Sequence, residues 1–114
     1  MIAMGLAVAL GGAAHAVQRP TVIGTWAMAG DPCEGDNGIT YRKDGTWDIY
    51  SEGGKWTLTR ASLITLTTYR GEPDEQQVRL KKPKREAATI ISLSKNAMTQ
   101  RGSDGSVHRF HRCR

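Results

Sequence analysis

The segment from Ile39 to Leu66 alternates aromatic or apolar residues with polar ones, and short turn sequences interrupt it every few positions. Alternation of this kind is typical of β-strands that bury one face, and glycine-bearing turns between such runs indicate consecutive hairpins. No segment keeps the apolar period of about 3.6 residues that an amphipathic helix needs. The sequence therefore predicts an all-β meander of about eight short strands, closed into a barrel or packed as a small sandwich.

The first hairpin of this segment has two possible registers. A loop of residues 43–45, with Gly45 in the left-handed region, pairs Tyr41 with Trp47 and Ile39 with Ile49. A shorter loop would place polar residues opposite apolar ones on both faces. We therefore predict the three-residue loop, because a slip of one residue moves every side chain to the other face.

A second turn is predicted at residues 53–54, where two glycines are adjacent. This turn pairs Ile49 with Leu58 and keeps both on the face that carries Trp47 and Trp56. One continuous inner surface is expected from this register.

The register of the following strand is ambiguous. A loop of residues 60–62 turns Ile64 and Leu66 inward, whereas a two-residue loop turns Leu63 inward instead. We favour the first of these alternatives.

The C-terminal half is expected to add further strands. The pattern predicts one strand in which Gln76, Val78 and Leu80 alternate with polar residues and which Pro83 ends. It also predicts a pair of strands over 88–93 and 97–101, and a last hairpin that turns at 103–105.

Residues 1–16 form an uncharged run of small and aliphatic residues that ends in Ala14-His15-Ala16. This composition predicts a secretory signal peptide, followed by a linker over 17–21 and a single domain over 22–114. The run is too short for a transmembrane segment, which needs about 20 apolar residues. We therefore expect an exported protein, periplasmic or secreted; the alternative is an apolar first strand or a disordered terminus.

The sequence contains two cysteines, Cys33 and Cys113. In an exported protein they are expected to form a disulfide that ties most of the mature chain into one loop. By the chain-entropy argument, a loop of this length stabilises the fold by roughly 4 kcal/mol. The alternative is two independent thiols.

Four sequence matches together resemble the small bacterial lipocalin-like, calycin-type domains. They are Ile23-Gly24-Thr25-Trp26, the pattern Tyr41-x-x-Asp44-Gly45-Thr46-Trp47, the pattern Gly54-Lys55-Trp56-x-Leu58, and Leu63 to Leu66. The resemblance covers most of the mature chain and implies a small antiparallel up-and-down barrel of about eight strands. It also implies that Gly24 and Trp26 lie at the floor of the barrel rather than at a ligand. Small periplasmic inhibitors of metalloproteases are similar, although the N-terminal segment with which they act is short here.

The inner face of the hairpins provides the candidate ligand-binding residues. They are Tyr41, Trp47, Trp56 and Leu58. Inward aromatic residues of a small barrel either fill its core or line a ligand cup, and the sequence alone does not distinguish these two roles.

A basic run provides the strongest charge feature of the chain. It comprises Arg79, Lys81, Lys82, Lys84 and Arg85. Such a run attracts nucleic acid, anionic lipid headgroups or an acidic protein, or it is a solvated hairpin tip. Alternation predicts that Arg79 and Lys81 lie on the outer face, where edge lysines also discourage pairing between sheets. Export argues against a nucleic-acid partner.

Other candidate sites are weak. The acidic loop over residues 31–38 does not have calcium-loop spacing, and His108 and His111, three positions apart on a strand, are expected to point to opposite faces. No nucleophile motif is present. We therefore predict a monomeric, non-catalytic binding protein for a small apolar ligand or a protein partner, without cofactor or metal. The alternative is a small periplasmic inhibitor of a protease or lysozyme, and an enzyme is the third class.

Overall fold

The computed structural model describes residues 20–34 and 36–114 of the chain. These residues form eight strands: β1 Gly24–Met28, β2 Ile39–Tyr41, β3 Thr46–Ile49, β4 Glu52–Thr59, β5 Ser62–Arg70, β6 Val78–Leu93, β7 Ala97–Gly102 and β8 Val107–Arg112. Each strand pairs antiparallel with the next one, and β8 pairs with β1, so the sheet closes on itself. The prediction of an all-β up-and-down barrel is confirmed, and closure excludes the sandwich.

The β2–β3 hairpin has the predicted three-residue loop. Tyr41 pairs with Trp47, and Gly45 has a φ of 88°, which a residue with a side chain rarely adopts. The Oδ1 atom of Asp44 accepts hydrogen bonds from the amide and the hydroxyl of Thr46, at 3.0 and 2.7 Å. The turn at residues 103–105 repeats this arrangement, as expected from its similar Asp-Gly-Ser sequence.

The turn predicted at residues 53–54 is wrong. The chain turns at residues 50–51, and both glycines lie inside β4, where Trp47 pairs with Gly54 and Ile49 pairs with Glu52. The glycines are needed for close approach of strands, because a Cβ at Gly54 would overlap the backbone carbonyl of Leu66 on β5. The true partner of Ile49 differs from the predicted one by an even number of positions, so the predicted face is preserved.

The favoured register of the next strand is also wrong. Thr59 pairs with Ser62 across a two-residue loop, and Leu63 is buried with 2% of its surface exposed. Ile64 and Leu66 therefore lie on the outer face of the barrel, half-buried by neighbouring side chains.

Pro83 does not end a strand, contrary to the prediction. The two strands predicted on either side of it are one strand, β6. The pairing of β5 with β6 passes from Thr67 and Lys84 to Tyr69 and Arg79, so residues 80–83 bulge out of the ladder. A proline is tolerated at such a bulge because no ladder hydrogen bond requires its missing N–H group.

The hydrophobic core fills one part of the barrel. Its buried members are Val22, Trp26, Tyr41, Trp47, Leu63, Met98 and Phe110. They come from almost every strand and from the segment before β1, so the core depends on closure of the sheet.

The predicted disulfide is confirmed. Cys33, in the loop after β1, is bonded to Cys113, which follows β8, with the Cα atoms 5.6 Å apart. A disulfide of this kind indicates an oxidising, extracytoplasmic environment. The predicted signal peptide over residues 1–16 lies outside the described residues. In the part of the chain that the structure describes, no helix is long and apolar enough to cross a membrane.

Candidate functional site

The barrel has an interior cavity of about 480 Å³ that is partly open to solvent, because Glu86, Asp104 and His108 in its lining are exposed. Apolar side chains of β2, β3 and β5 form one wall: Ile39, Tyr41, Trp47, Ile49 and Leu63. These residues face inward because they alternate with polar residues along strands whose register places them side by side. Two of the four candidate residues from the sequence, Tyr41 and Trp47, thus lie in the cavity wall.

The other two candidates do not line this cavity. The Trp56 ring packs edge-on against Tyr41, with the centroids 5.9 Å apart, and its Nε1 donates to the carbonyl of Arg42 at 2.9 Å. Leu58 pairs with Leu63 near the end of the β4–β5 hairpin and is 39% exposed. Both lie on the predicted face, but they support or extend the wall rather than enclose the space.

Polar and charged side chains line the rest of the cavity, together with Ala87, Ala88 and Gly102. The carboxylates of Glu52 and Glu86 are paired with Arg70 and Lys84, at 3.3 and 3.4 Å. These pairs are exposed, so each contributes little to stability, on the order of 0–1 kcal/mol. Their importance for the cavity is that most of its acidic charge is already balanced by protein cations.

Asp104, Ser106 and His108 form a short hydrogen-bonded chain beside the cavity. The Ser106 hydroxyl donates to Oδ1 of Asp104 at 2.6 Å and lies 3.1 Å from Nε2 of His108. The serine proton is thus directed to the carboxylate of Asp104 and not to Nε2 of His108. A nucleophilic serine needs the opposite arrangement, in which the histidine accepts its proton. The geometry of this chain therefore supports the turn rather than acyl transfer.

Hydrogen bonding and burial perturb two titratable groups at the cavity. Hydrogen bonds from the hydroxyl and amide of Ser106 hold the pKa of Asp104 below its usual range. Burial raises the pKa of Tyr41, and a hydrogen bond from Gln100 opposes this shift. Both effects keep the groups in the charge state expected at neutral pH, carboxylate and phenol.

Gly24 and Trp26 lie away from the cavity, under the side chain of Arg112. Trp26 is fully buried, and a Cβ at Gly24, whose φ is 134°, would overlap the Arg112 guanidinium. Sequence reasoning missed Arg112. No motif marks it, and only its position before Cys113 indicates that it lies near the chain closure.

The basic run does not form one patch. Arg79 pairs with Tyr69 and Arg85 with Leu66 on the outer face, whereas Lys84 pairs with the buried Thr67 and has the parity of the inner face. The prediction that Arg79 lies on the outer face is confirmed by this register. Two other residues of the run, Lys81 and Lys82, are exposed in the bulge of β6.

The two histidines of β8 point to opposite faces, as predicted. His108 pairs with Gln100 and lines the interior cavity, whereas His111 pairs with Ala27 and donates from Nε2 to the Asp31 carbonyl at 2.7 Å. His111 therefore anchors the acidic loop beside the disulfide. Among the described residues, no group of three or more His, Cys, Asp or Glu side chains is placed to hold a metal ion.

Comparison of the chain with protein-family models, with curated proteins and with solved structures finds no match.

Proposed function

We propose that this protein is an exported, lipocalin-like binding protein that holds a small apolar ligand non-covalently inside its barrel. The observation that carries the proposal is the interior cavity of about 480 Å³. Ligand sites in proteins have volumes of roughly 300–1,000 Å³ and are lined mainly by hydrophobic and aromatic side chains.

The composition of the wall supports an apolar ligand. Tyr41 and Trp47 offer large, rigid surfaces to an apolar molecule, and Ile39, Ile49 and Leu63 complete that side of the space. Most of the acidic charge at the other side is paired with protein cations, so a ligand with an apolar body and a small polar end fits better than a strongly charged one.

Export is the second part of the proposal. The disulfide between Cys33 and Cys113 requires an oxidising environment for its formation, and an apolar N-terminal run with an Ala-x-Ala end provides a route to one. The inhibitor hypothesis shares this compartment and this fold. It differs in needing no interior space, and the cavity is therefore the observation that favours ligand binding.

Titration with the fluorescent apolar probe N-phenyl-1-naphthylamine tests the proposal. The wild-type protein is expected to enhance probe fluorescence saturably, with one site per chain. Ala88→Phe adds a ring from the cavity wall into the space and should abolish this enhancement. Thr89→Phe adds the same ring at the next position, which is exposed on the outer face, and should leave binding intact.

The two variants form a matched pair, because each adds one aromatic ring and they differ only in the face of the barrel on which the ring lies. Probe binding that is equal in the wild type and both variants would place the site outside the barrel. The absence of saturable binding to the wild type would remove small-ligand binding and return the inhibitor hypothesis to first place. Near-ultraviolet circular dichroism of each variant confirms that it is folded.

A further inference from the structure

The outer face of the barrel carries a second concavity, which we call the outer hollow, of about 290 Å³. Its lining includes three cationic side chains from three strands or turns and one phenol: Arg42, Lys55, Arg79 and Tyr69. The rest of its lining comes from Thr46, Trp47, Gly54 and Thr68. The cationic side chains of the outer hollow lie on the opposite side of the sheet from the interior cavity, and Trp47 lines both spaces.

The strand register explains why these residues meet. Thr46, the first residue of β3, pairs with Lys55 on β4. Two residues further along β3, Asp48 pairs with Gly53. Gly53 in turn pairs with Tyr69. Residues opposite each other on paired strands lie on the same face, and Asp48 and Lys55 alternate with the inward Trp47 and Gly54.

Two further contacts complete the hollow. Tyr69 pairs with Arg79, which brings the start of the basic run onto the same row. Gly53 has no side chain, and its missing Cβ leaves room for the Tyr69 hydroxyl. The Tyr69 side chain can therefore lie over Gly53 on the same row as Asp48 and Arg79.

The charge of the hollow is unbalanced. Arg42 is paired with Asp48 at 2.7 Å, and its side chain is 48% exposed. Lys55 and Arg79 are exposed, and neither makes an ion pair with any residue that the structure describes. Three cations outnumber the two carboxylates that act on Arg42, Asp48 in the ion pair and Asp44 in the neighbouring turn, so the hollow has an excess of positive charge.

Each of the long side chains of the hollow, those of Arg42, Lys55, Tyr69 and Arg79, can donate hydrogen bonds to a ligand. A guanidinium offers a planar fork of N–H groups that matches the oxygens of phosphate, an ammonium adds a point charge, and a phenol adds one O–H. A phosphomonoester carries about −1.5 to −2 charges at neutral pH and has several acceptor oxygens, so it suits a site with an excess of cations and several donors.

We propose that the outer hollow is a binding site for a phosphate group, either inorganic phosphate or a phosphomonoester headgroup, held by Arg42, Lys55 and Arg79. Asp48 opposes such a ligand by occupying Arg42 and by its own charge. Its removal should therefore strengthen binding, whereas removal of a cation should weaken it.

Isothermal titration of the protein with inorganic phosphate, at constant ionic strength in chloride, tests the site. Saturable binding with one phosphate per chain is expected. Lys55→Gln and Arg79→Gln should each weaken the affinity about tenfold, as expected for loss of one charged hydrogen-bond donor. Asp48→Asn should strengthen it about threefold, within the range of a surface ion pair.

Arg101→Gln is the matched control. Arg101 is an exposed cation of the outer face on β7, and its loss changes the net charge by the same amount as either site variant. Equal weakening in Lys55→Gln, Arg79→Gln and Arg101→Gln would show attraction to net charge alone and would overturn the proposal.

A vesicle experiment separates the two sources of the phosphate group. Vesicles of phosphatidylcholine with phosphatidic acid are compared with vesicles of phosphatidylcholine alone in a sedimentation assay. Binding to phosphatidic acid only, lost in Lys55→Gln and Arg79→Gln and kept in Arg101→Gln, supports the site with a lipid headgroup as ligand. Saturable binding of neither free phosphate nor phosphatidic acid overturns the proposal.

Discussion

The guanidinium carbon of Arg112 lies 4.2 Å from the centroid of the Trp26 ring. The same guanidinium donates three hydrogen bonds to backbone carbonyls, to Thr21 and Lys95 at 2.6 Å each and to Ile23 at 2.7 Å. One side chain at the end of the last strand thus fastens the segment before β1 and the β6–β7 turn to the buried tryptophan. Closure of the barrel depends on this contact as well as on the β1–β8 ladder.

Arg112→Lys should destabilise the protein by about 2 kcal/mol or more. A lysine ammonium lacks the planar surface that stacks on the indole, and it does not reach three carbonyls in different directions. At least one of these carbonyls would lose its charged donor, and a hydrogen bond to a charged group contributes about 1.5–3 kcal/mol. Urea denaturation monitored by tryptophan fluorescence measures the loss.

Arg109→Lys is the control for this substitution. Arg109 lies on the same strand, is exposed, and pairs with Thr99 on the outer face. Its replacement should change the free energy of unfolding by less than about 0.5 kcal/mol. Equal effects of the two substitutions would contradict a special role for Arg112.

Loss of the disulfide should cost about 4 kcal/mol. Cys33 and Cys113 are 80 residues apart in sequence, and a cross-link over such a loop removes much of the conformational freedom of the unfolded chain. The double variant Cys33→Ser/Cys113→Ser should match the reduced wild type in urea denaturation. Thiol labelling of unfolded, unreduced protein should find no reactive cysteine, and stoichiometric labelling would contradict the bridge.

The sequence identified the fold and the composition of the inner face, because both depend on alternation. Tyr41, Trp47 and Trp56 alternate with polar residues, and this pattern survives any register error by an even number of positions. The turn at residues 43–45 was predictable because Asp44 and Gly45 each have a local reason to adopt it.

The sequence was misleading where a turn residue serves tertiary packing. Gly53 and Gly54 have the composition of a hairpin turn, yet their lack of side chains is used for the close approach of β4 to β5. Pro83 has the composition of a strand end, yet a bulge accommodates it within β6. In both cases the reason lies on a strand distant in sequence, which local patterns do not show.

The outer hollow was beyond sequence reasoning for a related cause. The basic run is conspicuous in the sequence, but pleating divides its residues between the two faces. The cations that join Arg79 are Arg42 and Lys55, from distant strands, and no local motif connects them. Only the register of β3 to β6 brings them together.

Gly54→Ala should destabilise the protein by about 3 kcal/mol. An alanine Cβ would meet the carbonyl of Leu66, which belongs to the backbone and is not free to move aside. The same carbonyl accepts a hydrogen bond from Nε1 of Trp47 at 3.2 Å, so the substitution should also shift tryptophan emission.

Gly102→Ala provides the comparison for Gly54→Ala. Its Cβ would meet Oδ1 of Asp104 at 3.0 Å, and an exposed side chain can give by the few tenths of an ångström that this contact requires while it keeps its hydrogen bonds to Ser106. We expect a loss of less than about 1 kcal/mol in urea denaturation. A loss as large as that of Gly54→Ala would mean that the cost comes from glycine replacement in a strand and not from the contact with Leu66.

Tyr41 should make the stability of the barrel fall at alkaline pH. Burial raises the pKa of this phenol above its ordinary value of 10.0, so the fold favours the protonated form. Its contribution to stability is fully present below the pKa of the unfolded chain and is lost as pH rises through the pKa of the folded state.

The variant Tyr41→Phe tests this effect, because phenylalanine has no phenol proton to lose. Urea denaturation of both proteins from neutral pH to above 10 should show the free energy of unfolding of the wild type fall relative to that of Tyr41→Phe, whereas a constant difference would contradict the effect of burial on Tyr41.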